Sequence, residues 1–263
     1  MDLGLQGKIA VVAGGSKGFG EATAKRLAAE GVRLVLAARG EDGLARVAHA
    51  IGTSHGAEVA TVSADLTEAG AAERIAAAAV DRFGGIDILV SSVGAAGGGA
   101  FWDIADQVWQ DALTLKFLGN VRMMRAVLPA MRQQQAGRMV IIVGQLGKQP
   151  HPRLLPSAAA NAALLSVVKG LADEVAGEGI VLNAVNPGPS RTDRWNNLMA
   201  KLSRDSGRAV RDIEAEYTRT IPMGRFGEPD EIARHVCFLA SEAAGYMTGT
   251  SVTVDGGWLK LPA

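Results

Sequence analysis

The stretch from Ile9 to Gly20 reads IAVVAGGSKGFG and decides the fold of this chain. Its first five residues form a short apolar run that ends at a glycine, which is typical of a buried parallel strand. Gly14, Gly18 and Gly20 follow, and then a segment of good helix formers that closes at Gly31. A strand that turns tightly into a helix directs free backbone N–H groups and the positive end of the helix dipole to one point. That point suits a phosphate, although a glycine-rich turn without a ligand has the same pattern.

The composition argues against several classes of protein. The 263 residues include 27 basic and 27 acidic side chains, so a nucleic acid or an anionic membrane surface is not expected as the main partner. The single cysteine, Cys237, excludes an intrachain disulfide framework and is typical of a reducing compartment. The N-terminus lacks the pattern of a signal peptide, and no apolar run is expected to reach the length that spans a membrane. We therefore expect a cytoplasmic protein.

Predicted strands and helices alternate along the chain. The strands are expected at 9–13, 32–38, 58–63, 86–91, 138–143, 180–186 and 251–254. The longer helices are expected at 69–83, at 106–134 with a kink or an interruption at Pro129, and at 157–177. A polar segment at about 192–220 is expected to be an irregular, flexible lid. The alternation predicts one α/β domain over residues 1–263, a doubly wound parallel sheet of the Rossmann type that binds ligands at the carboxyl ends of its strands.

The end of the second predicted strand favours NADP(H) over NAD(H). A site for NAD(H) places an acidic residue there to bind the ribose 2′-hydroxyl. Ala37 and Ala38 occupy these positions and Arg39 follows, while Lys17 adds a cation from the glycine-rich turn. Two cations without a carboxylate suit a 2′-phosphate, because arginine offers a planar fork to its oxygens. The alternative is that both are solvated surface charges.

Motifs along the whole chain resemble those of the short-chain dehydrogenase/reductases, and in particular the 3-oxoacyl-carrier-protein reductases. Residues 14–20 resemble the family's TGxxxGxG motif, with Ala13 in place of Thr. Segments 224–229 (GRFGEP) and 255–257 (DGG) resemble its closing signatures. The resemblance implies a small-molecule substrate, a homodimer or homotetramer, no metal, and an NADP(H) site. That site would consist of Gly14, Ser16, Lys17, Gly18, Phe19, Gly20, Arg39, Asp65, Leu66, Ser91, Val93, Gly94, Pro187, Gly188 and Thr192.

The proton relay of that family, an Asn-Ser-Tyr-Lys tetrad, is replaced at all four positions. By their neighbours in the sequence, the equivalent residues are Lys116, Gly144, Ser157 and Asn161. In the family the Tyr hydroxyl protonates the carbonyl oxygen, the Lys lowers the pKa of that Tyr, and the Ser positions the oxygen. Such acid–base help is worth about 10²–10⁴-fold in rate. The usual mechanism is therefore not expected here.

Five residues are candidates for a different relay. Lys116 has a stem long enough to bring an ammonium into the site, although it also has the option of reaching solvent. His151 could donate a proton, because histidine titrates in a useful range, or it could be an ordinary surface histidine. Gln145 could orient a carbonyl. Ser157 and Asn161 retain hydrogen-bonding groups. In the lid, Arg194 and Trp195 could engage an anionic or planar substrate, or pack within the lid.

Three functions are compatible with this sequence. The first is an NADP(H)-dependent oxidoreductase with a rearranged proton relay, acting on a carbonyl, an imine or an activated alkene. The second is an enzyme of the same fold that catalyses isomerisation, cyclisation or elimination without net redox change. The third is a nucleotide-binding pseudoenzyme. Because function depends on the site and not on the fold, the sequence motifs alone leave the three open.

Overall fold

The computed structural model describes residues 2–94 and 97–260 and is built around a parallel sheet of seven strands. Their order in the sheet is β3-β2-β1-β4-β5-β6-β7. The strands are β1 (Ile9–Ala13), β2 (Arg33–Ala38), β3 (Val59–Ser63), β4 (Ile88–Ser91), β5 (Gly137–Ile142), β6 (Ile180–Pro187) and β7 (Ser251–Val254). The predicted doubly wound sheet is confirmed.

Helices cover both faces of this sheet. They are α1 (Gly18–Ala29), α2 (Glu41–His55), α3 (Ala71–Phe83), α4 (Asp106–Asp111), α5 (Gly119–Gln134), α6 (Leu155–Val175), α7 (Asp193–Ser206), α8 (Val210–Arg219) and α9 (Pro229–Leu239). Buried side chains of α3, α5 and α6 form one hydrophobic cluster with the sheet, and those of α1, α2 and α9 form the other. In β1, Val11 faces the first cluster and Val12 the second. A strand buried on both faces needs a continuous apolar run, which explains the sequence of β1.

The chain reverses its direction of winding between β1 and β4. From β1 it moves outward to β2 and β3, then returns to place β4 on the other side of β1. Ala13 pairs with Ala37 on one side and with Ser91 on the other. Such a switch point opens a crevice at the carboxyl ends of the strands, where doubly wound proteins bind their ligands.

The long helix predicted over 106–134 is interrupted at a different place from the one expected. A π-helical segment, Ala112–Leu118, separates α4 from α5. Pro129 lies inside α5 without ending it. It is on the exposed side, where water can satisfy the carbonyl that its missing N–H leaves unpaired. The interruption lies at the turn that carries Lys116.

The predicted lid is not irregular, and this expectation was wrong. Two helices, α7 and α8, occupy most of the segment. Thr192 caps α7 by accepting the Trp195 N–H at 3.3 Å, and Gly207, with φ of +68°, ends that helix. Met199 and Ile213 are buried. The polar composition belongs to the outward faces of two amphipathic helices, and closure of the lid stays a prediction.

Sequence reasoning gave no bounds for α2 or α9, and it misjudged the apolar segment that begins at Leu155. Residues Leu155–Glu178 form a helix that is long and apolar enough to cross a membrane by length and composition alone, so the expectation that no run reaches that length was wrong. This helix packs against β6 and against the π-helical segment, and Leu164, Val168 and Ala172 are buried in the core. It is a core helix of the fold.

Candidate active site

The turn after β1 accepts only glycine at two of its positions. At Gly14, where φ is +81°, a Cβ would lie 2.7 Å from the carbonyl oxygen of Ser92. At Gly20 a Cβ would overlap the carbonyl oxygen of Gly14. The N–H groups of Gly14 and Gly15 donate to the carbonyl of Ala37 at 2.8 and 3.2 Å, which fixes the turn against β2. The sequence pattern therefore reflects a close approach of backbone to backbone.

The first turn of α1 faces the cleft with its backbone donors available. Lys17 caps the helix with an extended backbone and no side-chain hydrogen bond. The first N–H groups of any α-helix have no intrahelical acceptor. Because no side chain caps them here, they attract an anion. A Cβ at Gly18 would lie 3.8 Å from Cγ2 of Thr192, so the glycine-rich turn and the segment after β6 stand opposite each other. A pyrophosphate is the anion expected at this end of α1 in a dinucleotide-binding fold.

The residues that follow β2 and β3 are those predicted to bind the adenosine of the cofactor. Two hydrogen bonds from Thr67, the stronger from its backbone N–H, hold the pKa of the Asp65 carboxyl below its usual range. Arg39 Nη1 lies 3.9 Å from Asp65 Oδ2, and the Arg39 side chain is 69% exposed, so its guanidinium is at the rim. Leu66, which follows Asp65, is buried and belongs to the core cluster of α3 and α5. These positions suit an adenine between β2 and β3 and a 2′-phosphate at Arg39.

Arg46 is a site residue that sequence reasoning missed. From α2 its Nη2 donates to the carbonyl oxygen of Ser16 at 3.0 Å, and its guanidinium pairs with Glu21 of α1 at 2.6 Å. The hydrogen bond from Arg46 lowers the pKa of Glu21 to about 2. Arg46 thus fixes the middle of the glycine-rich turn. Arg46 lies in no sequence motif. It could have been identified from the sequence only if α2 had been predicted first.

The segments after β4 and β6 complete the floor of the cleft. Ser91 is buried and its hydroxyl has no hydrogen-bond partner among the described residues. The carbonyl of Val93 accepts a hydrogen bond from Asn120 at 3.2 Å. Pro187 ends β6, and Gly188 is so close to β7 that a Cβ there would lie 2.5 Å from Cβ of Asp255. Small residues are needed on both segments because other chain segments approach closely.

Lys116 is buried at this floor. It is 8% exposed, and its stem lies against Gly94, where a Cβ would be 3.0 Å from Lys116 Cγ. The carboxamide of Asn120 donates to the carbonyl of Lys116 at 2.5 Å, inside the π-helical segment. Burial, followed by the charge of Arg194, lowers the pKa of the Lys116 ammonium to about 7. A lysine with such a pKa can donate a proton, accept one or act as a nucleophile near neutral pH.

Asn161 and Gly144 contact each other beside this lysine's helix. Gly144 follows β5 with φ of +103°, and its carbonyl accepts a hydrogen bond from Asn161 Nδ2 at 3.1 Å. Asn161 Oδ1 is buried with no partner among the described residues. Ser157, one turn earlier in α6, is 2% exposed. The positions that resemble the family's Ser, Tyr and Lys are thus close together, but they carry no acid.

Gln145 and His151 differ in their surroundings. Gln145 is 5% exposed, and its Oε1 has no hydrogen-bond partner among the described residues. This oxygen is therefore available to accept a hydrogen bond. His151 Nδ1 accepts the N–H of Arg153 at 3.2 Å. Nδ1 must be unprotonated to accept this hydrogen bond, which gives His151 a structural role within its own loop. The site role predicted for His151 therefore has less support than that of Lys116.

The aromatic side chains of the lid pack on one another. The Trp195 ring lies 5.1 Å from that of Tyr217 and 4.7 Å from that of Phe226, between centroids. Phe226 is 2% exposed. Trp195 is thus a packing residue that joins α7, α8 and the segment before α9, which was one of its two predicted roles. Among the described residues no group of three or more His, Cys, Asp or Glu could hold a metal.

Comparison with known proteins identifies the class. Residues 13–259 match the family described as Enoyl-(Acyl carrier protein) reductase. The chain is 34% identical to the 3-oxoacyl-[acyl-carrier-protein] reductase FabG of Escherichia coli, over 97% of this chain and 98% of the relative. It therefore belongs to the short-chain dehydrogenase/reductase family, as its motifs predicted.

Two solved structures are similar over nearly the whole chain. L-sorbose reductase of Gluconobacter frateurii, complexed with NADPH and L-sorbose, superimposes with a TM-score of 0.96 at 33% identity and full coverage of both chains. YwfH, an NADPH-dependent reductase involved in bacilysin biosynthesis, gives 0.92 at 28% identity, over 97% and 99% of the two chains. The predicted NADP(H) preference agrees with both.

Proposed function

We propose that this protein is an NADP(H)-dependent reductase of small carbonyl compounds in which Lys116 is the proton donor. The observation that carries the proposal is a buried lysine with a pKa of about 7 at the floor of the cleft, packed on Gly94. The general acid of a reaction at neutral pH works best with a pKa near that pH. Similarity to NADPH-dependent reductases supports the redox part.

The described residues fit NADP(H). The glycines of the turn leave room for the pyrophosphate, the start of α1 supplies backbone donors, and Arg39 and Lys17 attract the 2′-phosphate. When bound, NADPH supplies the hydride. The residues that would hold it are Gly14, Ser16, Lys17, Gly18, Phe19, Gly20, Arg39, Asp65, Leu66, Ser91, Val93, Gly94, Pro187, Gly188 and Thr192.

The protein's own residues supply the proton. In the ammonium form, Lys116 protonates the carbonyl oxygen of the substrate and is left as a neutral amine, which burial favours. Solvent reprotonates it in the next cycle. Gln145, with a carboxamide that lacks a partner at Oε1, orients the substrate by a hydrogen bond. Asn161 holds the carbonyl of Gly144 and so keeps the end of β5 in place.

The test has two stages. We expect NADPH binding to quench the tryptophan fluorescence of the purified protein, with a much weaker response to NADH. In the second stage, we expect the protein to oxidise NADPH in the presence of ketones or aldehydes from a panel. Lys116→Met should lower kcat about 10²–10⁴-fold with little change in NADPH affinity. Lys169→Met, at an exposed lysine of α6, is the control. Equal activity of Lys116→Met and the native protein would contradict the assignment.

A second function is favoured by the same lysine in its neutral form. A buried amine can abstract a proton or attack a carbonyl, which would allow isomerisation or elimination without net redox change. Substrate conversion without NADPH oxidation would favour this function. Tight NADPH binding without any conversion would favour a pseudoenzyme.

The exposed apolar residues near α6 support a homo-oligomer in the cytoplasm. Leu113 and Leu118 of the π-helical segment are 41% and 39% exposed, and α6, which packs against that segment, exposes Ala159 and Ala162. An apolar surface of this kind on two packed helices is typical of a subunit interface. The free, buried Cys237 is compatible with a reducing compartment. We propose a dimer or tetramer that associates through this surface.

A further inference from the structure

Glu21 places a carboxylate in the same helical turn of α1 that is expected to receive the pyrophosphate of the cofactor. It follows Gly18 by three residues, so the two residues lie on one face of the helix. Both line a groove of about 630 Å³, together with Thr192, which stands opposite Gly18. An acid in the first turn interacts with the same positive helix end that attracts an anionic ligand. Without a partner, Glu21 would therefore oppose the binding of phosphates.

Two cations contact this carboxylate, and they do so unequally. Arg46 Nη1 donates to Glu21 Oε1 at 2.9 Å, and Arg46 Nη2 donates to Oε2 at 2.6 Å. Lys25 Nζ donates to Oε1, at 2.7 Å. Arg46 thus binds both oxygens in the bidentate geometry that a guanidinium offers to a carboxylate. The hydrogen bond from Arg46 lowers the pKa of Glu21 to about 2, so this carboxyl is ionised at neutral pH and its charge has to be compensated.

Contacts between α2 and the glycine-rich turn hold Arg46 in this position. Its Nη2 also donates to the carbonyl oxygen of Ser16 at 3.0 Å, so one guanidinium contacts both the turn and Glu21. A Cβ at Gly43 would lie 3.2 Å from Cβ of Ser16, so the start of α2 is in contact with the same residue of the turn. The Glu21 side chain is only 15% exposed, and salt screens a partly buried pair less than a fully solvated one. The charge of Glu21 therefore depends on Arg46 for its compensation.

We infer that Arg46 makes the start of α1 receptive to the pyrophosphate of NADP(H) by compensating the charge of Glu21. Arg46 is thereby a positioning residue of the cofactor site that acts through Glu21, and this role rests on the NADP(H) binding of the proposed function. With Arg46 in place, the backbone N–H groups of the first turn attract the phosphates without opposition from the acid. Without Arg46, Lys25 remains at Oε1, Oε2 loses its donor, and the carboxylate repels the phosphates.

A double-mutant cycle tests this role by cofactor binding, measured as fluorescence titration with NADPH. Arg46→Met removes one positive charge and Glu21→Gln removes one negative charge, so the double variant has the net charge of the native protein. We expect Arg46→Met to weaken NADPH binding about fivefold or more, and less so at high salt, whereas Glu21→Gln should bind at least as well as the native protein. The double variant should bind within about twofold of the native protein. Arg132→Met is the matched control, because Arg132 forms a similar bidentate pair with Glu178 at the end of α5, and it should leave binding unchanged.

Several outcomes would overturn this role of Arg46. An equal loss of affinity in Arg46→Met and in the double variant would assign the effect to the hydrogen bond with Ser16, and unchanged binding by Arg46→Met would exclude any effect on the cofactor. If Arg46→Met does not fold, Arg46→Gln replaces it in the same cycle, since glutamine retains a donor for Ser16 without the charge. Absence of NADPH binding by the native protein would overturn the cofactor assignment together with this role. Binding without turnover would contradict the reductase alone and leave the role of Arg46 standing.

Discussion

At the residue scale, the ionisation of Lys116 predicts the pH dependence of the reaction. The proposed mechanism requires the ammonium form of Lys116, and the pKa of this lysine is lowered to about 7 by burial and by Arg194. The fraction of ammonium is high below pH 7 and falls about tenfold for each pH unit above it. We therefore expect kcat for carbonyl reduction to fall as the pH rises through 7, and kcat for alcohol oxidation to rise. A flat profile between pH 6 and 9 under chemistry-limited conditions would contradict the role of Lys116.

The same lysine predicts a pH dependence of stability that does not need activity. Its pKa is about 7 in the folded protein and 10.5 in an unfolded chain, so between these values the unfolded state binds more protons. Its contribution to the free energy of unfolding therefore increases as the pH rises from about 7 to 10. Urea unfolding of Lys116→Met should lack this increase, measured as the difference from the native protein at each pH. Parallel curves for the two proteins would mean that folding does not lower the pKa of Lys116.

Arg39 predicts the choice between the two nicotinamide cofactors. Its guanidinium is 69% exposed at the end of β2, where an acidic residue would bind a ribose hydroxyl. Arg39→Asp should weaken NADPH binding at least about tenfold and leave NADH binding unchanged or stronger. Fluorescence titration measures both affinities. Arg82→Asp, at an exposed arginine at the far end of α3, is the control, and equal losses for both cofactors would exclude a 2′-phosphate site at Arg39.

At the element scale, packing of Trp195 on Tyr217 and Phe226 predicts how the lid is held. Trp195→Ala removes a ring that joins α7 to α8 and to the segment before α9. We expect faster tryptic cleavage within residues 193–220 and a higher KM, because the two helices lose their shared packing. Trp102→Ala, at a tryptophan that is 81% exposed, is the matched control. Unchanged cleavage in Trp195→Ala would mean that the lid is held by other contacts.

At the scale of the whole molecule, the exposed apolar surface beside α6 predicts association. Light scattering should give a mass two or four times the 27.2 kDa of one chain. Leu118→Lys, which places a charge on this surface, should shift the mass toward that of one chain. Val80→Lys, at a residue of α3 that is 41% exposed, should not. A native protein that remains a monomer at micromolar concentration would exclude the proposed interface.

Much of the fold and the choice of cofactor was predictable because local patterns specify them. The apolar run of β1 and the glycines after it predicted the strand, the turn and the start of α1, since only glycine fits where the turn contacts Ser92 and where α1 begins. The absence of an acid after β2 and the presence of Arg39 predicted NADP(H) rather than NAD(H), which agrees with the NADPH-dependent reductases of similar structure. These signals depend on residues close together in the chain.

The tertiary structure decided what depends on packing between distant segments. The sequence did not decide whether Lys116 is buried or exposed to solvent. In the structure this lysine lies in the π-helical segment and its stem packs against Gly94, and burial lowers its pKa. The contact of Arg46 with the glycine-rich turn and the two helices of the lid were likewise missed. The sequence by itself thus determined the sheet and the glycine-rich turn. Only the tertiary structure decided that Lys116 is buried and that its pKa is lowered, because desolvation of an ionisable group depends on what surrounds it in space.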